Sequence, residues 1–173
     1  MPQKTIVIFG SSAVKENSRA WNLAFRTGRA LAEAHFTVAN GGYEGTMSAS
    51  AKGAKSALGR TIGVTTNAFR SPKNEFIDRE NRFPTWQERL FRLVDTGDGF
   101  IVLDGGTGTL TELAVVWEML NKKFLSKPVV ILGKWMKKAV RALRKNPEIK
   151  ISREIYFAET PESAVQYLTG KLS

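Results

Sequence analysis

The chain has 173 residues, 42% of them apolar and 24% charged, the balance of a globular protein that buries one core, so one domain is expected over 1–173. It has no cysteine and a single histidine, His35, which excludes disulfides and thiolate or polyhistidine metal sites; neither metal nor cofactor is expected. No apolar run approaches a membrane-spanning length and the first strand starts at once, so the expected location is the cytoplasm, and the unusual quantity is a formal charge of +10.

Apolar β-rich runs alternate with helical periodicity along the chain. The pattern predicts strands at 4–9, 36–39, 61–65, 99–103, 128–132 and 155–158. It predicts helices near 17–34, 44–58, 85–96, 109–122, 135–145 and 161–169. Short all-apolar strands such as Ile101-Val-Leu103 and Val129-Val-Ile-Leu132 suit a parallel sheet covered on both faces. The fold class that follows is α/β, a Rossmann-like three-layer αβα sandwich with a doubly wound, mainly parallel sheet of about six strands. The stretch from Thr66 to Pro84 has no clear period and reads as a long loop, which in a compact domain is often a lid.

Ligands in such sheets bind beyond the carboxyl ends of the strands. Four Gly-, Ser- or Thr-rich loops fall there: Gly10-Ser-Ser12, Asn40 to Thr46, Thr65-Thr-Asn67 and Asp104 to Thr109. The last is the most telling, because a buried strand runs through three glycines straight into a helix. A helix N-terminus offers unpaired N–H groups and positive dipole, so it holds anions. Gly105, Gly106, Thr107, Gly108 and Thr109 are therefore the leading phosphate-binding residues, joined by Gly10, Ser11, Ser12, Gly41, Gly42 and Gly45. The first loop lacks the dinucleotide fingerprint, and no P-loop motif is present, which disfavours NAD and P-loop NTPase chemistry.

Glu112 and Arg89 each carry two readings. Thr109-Leu-Thr-Glu112 matches a capping box, yet Glu112 shares a helix face with Val115, Val116 and Met119, so its carboxylate points inward. Arg89 lies on the flank of a stripe formed by Trp86, Leu90, Leu93 and Val94. There it is either a snorkelling edge residue or a buried anion clamp. Residues 134–154 hold eight cationic side chains against two carboxylates, a net +6 of the chain's +10. Trp135, Ala139 and Leu143 recur at i, i+4, i+8 and read as the buried face of that helix, which makes the basic residues a solvated surface; a polyanion partner is the alternative.

Asp104-Gly-Gly-Thr-Gly-Thr-Leu-Thr-Glu112 resembles the PGGxGTxxE signature of the LOG (LONELY GUY) family within the SLOG superfamily. Ile8-Phe-Gly-Ser-Ser12 is similar to its first loop, Gly41-Gly-Tyr-Glu-Gly-Thr-Met47 to its second glycine segment, and Glu88-Arg89 stands at the place of its arginine. The resemblance implies hydrolysis of the N-glycosidic bond of nucleoside 5′-monophosphates, with Arg89 and Glu112 as the catalytic pair and Gly105 to Thr109 on the phosphate. It also implies rivals, since the superfamily includes a molybdenum-cofactor carrier and a single-stranded DNA-binding relative. Asp104 replaces the signature proline, which is expected to put a negative charge beside the phosphate cradle. Leu113, Val115, Val116, Trp117 and Leu120 make the fourth helix apolar on more than one side, so a homodimer is expected.

Overall fold

A computed structural model describes residues 3–173, in which strands and helices alternate as the periodicities require. The strands are β1 (Thr5–Phe9), β2 (Thr37–Asn40), β3 (Thr61–Thr66), β4 (Arg79–Phe83), β5 (Gly99–Val102), β6 (Val129–Ile131) and β7 (Ile155–Phe157). The helices are α1 (Arg19–Glu33), α2 (Thr46–Ser56), α3 (Trp86–Thr96), α4 (Thr107–Asn121), α5 (Lys134–Leu143) and α6 (Pro161–Leu172). All strands are parallel in one sheet of order β4-β3-β2-β1-β5-β6-β7.

Alternation along β1 explains the layers. Ile6 and Ile8 join Ala24 and Leu31 of α1, Ala49 and Ala54 of α2 and Leu168 of α6. Val7 and Phe9 face the other way, onto Leu93 of α3, Leu113 and Val116 of α4, and Val140 of α5. Helices thus cover both faces of a sheet whose inner strands are buried along nearly their whole length.

The sheet has seven strands, not six. The extra one, β4, lies inside the stretch expected to be a loop, and its sequence, Arg79-Glu-Asn-Arg-Phe83, contains a single apolar residue. It is an edge strand, partly exposed, held by pairing to β3 rather than by burial. Glu80 accepts the Thr65 hydroxyl at 2.6 Å, and Asp78 accepts both the Thr61 amide, at 2.9 Å, and the Lys55 ammonium, at 2.7 Å.

Helix α5 turns the opposite way from the expected one. Its buried residues are Met136, Lys137 and Val140. Lys137 is anchored by donating to the Ala158 carbonyl at 2.9 Å and to Glu159 at 2.7 Å. Trp135 is 69% exposed and Leu143 41%. The two apolar stripes of this helix competed, and the one whose lysine reaches the end of β7 went inside.

Candidate active site

The chain runs outward from β1 through β2 and β3 to β4, then returns to place β5 on the other side of β1. That reversal leaves a crevice between the loops after β1 and β5. A cavity of about 730 Å³ opens there. Gly10, Ser11 and Ser12 form one wall; Gly106, Thr107, Gly108 and Thr109 form the opposite one. Tyr43 and Met47 close it from the β2 side, Phe69, Ser71 and Pro72 from the segment after β3, and Trp86, Arg89 and Leu90 from α3.

Helix α4 begins at Thr107, two residues before the periodicity indicates, and its N-cap Gly106 gives no side-chain cap. The amides of Thr107, Gly108 and Thr109 belong to its first turn, so they have no partner inside the helix, and all three residues line the crevice. The early start removes the capping-box role from Glu112. By contrast α1, α3 and α6 are capped by the side chains of Ser18, Thr85 and Thr160.

Glu112 enters the cavity from one turn further along α4, with 14% of its side chain exposed, and Arg89 meets it from α3 with 7% exposed. Arg89 is the buried clamp of the two readings. Its Nε donates to the Val64 carbonyl at 2.8 Å, and its guanidinium lies 5.7 Å from the Tyr43 ring and 5.8 Å from Phe69. Tyr43 is itself fixed: its hydroxyl accepts the Thr66 amide at 3.0 Å and donates to the Thr66 carbonyl at 3.3 Å. Cation–π contacts of this kind contribute about 0.5–1 kcal/mol each, and more when desolvated.

The nearest approach of the pair, Arg89 Nη1 to Glu112 Oε1, is 3.9 Å, an ion pair but too long for a hydrogen bond. Among the described residues neither carboxylate oxygen and neither terminal guanidinium nitrogen has a hydrogen-bond partner. Both groups keep their bonding capacity for something in the cavity. Burial pushes the Glu112 carboxyl up to about 7, against the opposing pull of Arg89. Burial also lowers the Arg89 pKa, opposed by Glu112 and Tyr43.

Four of the expected glycines stand behind the wall rather than in it. Gly41 is the instructive case, because a Cβ there would collide with Arg89 Nη2 and with the Met47 sulfur. Gly45 sits at φ 70° with backbone against Ser11 and Ser12, and the next amide, Thr46, donates to the Ser11 carbonyl at 2.9 Å. Gly42 donates to Asn40 Oδ1 at 2.8 Å, and Gly105 packs on the Thr109 side chain. These residues shape the site without lining it.

Asp104 also departs from expectation. Its carboxylate turns away from the glycine wall and accepts the amide of Met136 at 2.9 Å, at the N-terminus of α5. A carboxylate there satisfies an orphan donor and meets the positive end of a dipole. Tyr43, Phe69 and Trp86 are pocket residues that the sequence did not mark. Trp86 read as helix stripe, Phe69 lay in the supposed loop, and Tyr43 stood in a segment read for its glycines.

Fold and site together define a doubly wound α/β protein whose pocket opens at the switch point of its sheet. The chain belongs to the SLOG cluster4 family, whose model matches residues 3–165. It is 31% identical over 134 residues to a cytokinin riboside 5′-monophosphate phosphoribohydrolase of Mycobacterium tuberculosis, covering 76% of this chain and 71% of that protein. Among solved structures it is similar to a molybdenum cofactor binding protein of Rippkaea orientalis, with TM-score 0.81 and 22% identity over 100% of this chain and 99% of the other. A Moco carrier protein of Chlamydomonas reinhardtii gives TM-score 0.74 and 23% identity, covering 98% of each chain. These two structural likenesses are likenesses of fold. Among the described residues no helix is long and apolar enough to cross a membrane.

Proposed function

We propose that the protein is a phosphoribohydrolase that cleaves the N-glycosidic bond of a purine-type nucleoside 5′-monophosphate. The observation that carries this reading is the buried Arg89–Glu112 pair with its hydrogen-bonding groups uncommitted, beside the uncapped first turn of α4. The 5′-phosphate binds the amides of Thr107, Gly108 and Thr109. Ribose then lies over Glu112, and the planar base extends toward Phe69 and Trp86. Breaking the bond from C1′ to the base develops positive charge on the sugar, which the Glu112 carboxylate stabilises. The oxygen of a water bonds to C1′ as the bond to nitrogen breaks. The bonding pair leaves with the base, and one water proton, relayed by Glu112, ends on the base nitrogen. Arg89 keeps Glu112 partly ionised near neutral pH and donates its free N–H groups to the ligand.

Incubation with AMP and related monophosphates, followed by assay of free base and ribose 5-phosphate, tests this. Release of both that is lost in Glu112→Ala, with ligand binding retained, is the expected result. Binding without release from any of them overturns the hydrolase and favours the second reading, a carrier of a phosphorylated cofactor, which the whole-chain likeness to molybdenum-cofactor proteins supports. The protein acts as a homodimer in this proposal. Of the helix residues expected to make the contact, Leu113, Val116, Trp117 and Leu120 are buried in the subunit's own core, which leaves Val115. Phe91, Leu110 and Met119 join Val115 in a shallow apolar groove between α3 and α4.

A further inference from the structure

The outward face of α5 combines two features that a merely solvated helix lacks together. Lys134, Lys138 and Arg141 recur at i, i+4, i+7 and so form one stripe, which Arg144 and Lys145 extend past the helix end; all are exposed. Within 134–154 the ion pairs among the described residues are Lys137 with Glu159, Arg153 with Glu154, and Lys171 with Glu154. The stripe itself is in none of these ion pairs, although Arg141 lies 5.2 Å from the Phe157 ring and near enough to Glu159 to join Lys137 in lowering its pKa. Trp135 stands on its flank, 69% exposed, with the Lys138 ammonium 4.6 Å from the ring centroid.

We infer that α5 and the segment after it bind a single-stranded nucleic acid, with the stripe on successive phosphates and the Trp135 ring stacked on an unpaired base. Adjacent cations on this face are separated by about 4.5–6 Å along the axis, which lets one extended strand meet several of them. An exposed indole beside a cationic track is the combination that holds single strands without sequence preference. A duplex would present phosphates but no free base face. An anionic membrane fits less well, since Met136 and Val140 are turned onto the sheet and only Trp135 and Leu143 are left as large apolar side chains that could enter lipid. A second copy of the chain would oppose one cationic stripe to another.

Fluorescence anisotropy of a 5′-fluorescein oligo(dT) 20-mer, titrated with the full-length protein across about 50–200 mM salt, tests the inference. Four engaged cations would weaken binding about 50-fold over that range, at about 0.7 per contact in the log–log slope. The double variant Lys138→Glu, Arg141→Glu should weaken binding and flatten that slope. Trp135→Ala should weaken it about 5-fold or more with the slope unchanged. All three positions are exposed, so circular dichroism should report native folding. No anisotropy change at micromolar protein in low salt overturns the inference, as does binding that neither variant alters. So does sedimentation with phosphatidylglycerol vesicles in place of oligonucleotide binding, or loss of oligonucleotide binding in Arg89→Met, which would put the strand in the crevice.

Discussion

Replacing Glu112 by glutamine keeps the size and removes the ionisation, so it isolates what the buried charge costs the fold. The carboxyl is pushed from 4.5 up to about 7 in the folded protein, chiefly by burial. The folded state therefore holds this proton more tightly than the unfolded state does, and Glu112 contributes most to stability when it is protonated in both. That contribution falls as pH rises from about 4.5 to about 7 and is level above. A shift of this size corresponds to about 3 kcal/mol, of which about 2–3 kcal/mol should appear between pH 5 and pH 8. The Glu112→Gln variant has no such loss. Urea denaturation of both proteins at the two pH values, in buffer free of phosphate, should show the variant gaining on the wild type by that amount at pH 8. With m near 1–3 kcal/mol per molar urea, the relative midpoints should move by about 0.7–3 M. A stability difference that stays constant with pH would refute the claim that Glu112 is desolvated, and with it the physical basis for its proposed role.

Arg89→Met should drive the Glu112 titration above about 7, because the opposing pull of the guanidinium is lost; carboxyl-detected NMR across the pH range reads this directly. Gly41→Ala would push on Arg89 Nη2 and Met47, costing about 1–3 kcal/mol in thermal unfolding and abolishing the proposed turnover of a nucleoside monophosphate. Asp104→Ala should lower stability by about 1 kcal/mol in urea, through loss of the bond to the Met136 amide, while the hydrolysis proposed for Glu112 persists.

The elements that proved legible were those whose apolar residues left no alternative. The inner strands could be nothing but buried, and α3 carries one dominant stripe. β4 was invisible because an edge strand with polar residues on both faces has no period to detect, and only pairing to β3 defines it. In α5 two apolar stripes of similar strength were present, and the choice depended on where Lys137 could reach, a tertiary fact. At the site, the position of Glu112 followed from helix geometry, whereas Arg89 was undecided by it. Its burial depends on the space that Gly41 leaves on a different element, 48 positions earlier in the chain. Asp104 looked like a charge facing phosphate because its partner, an amide on α5, is specified by folding and not by any local motif.

The polar character of β4 has a bearing on how copies of this protein can meet. A sheet end with free main-chain groups invites another sheet to extend it, and proteins blunt such ends with charge or brevity. Here one border strand carries Arg79, Glu80 and Arg82, and the other, β7, is only three residues long. Continuous ribbons across subunits are disfavoured at both borders. Self-association is thereby steered to the helical layers, where the groove between α3 and α4 lies. A contact formed there would set a neighbouring subunit against Leu110 and Thr111, which lie between the crevice residues Thr109 and Glu112 in the chain.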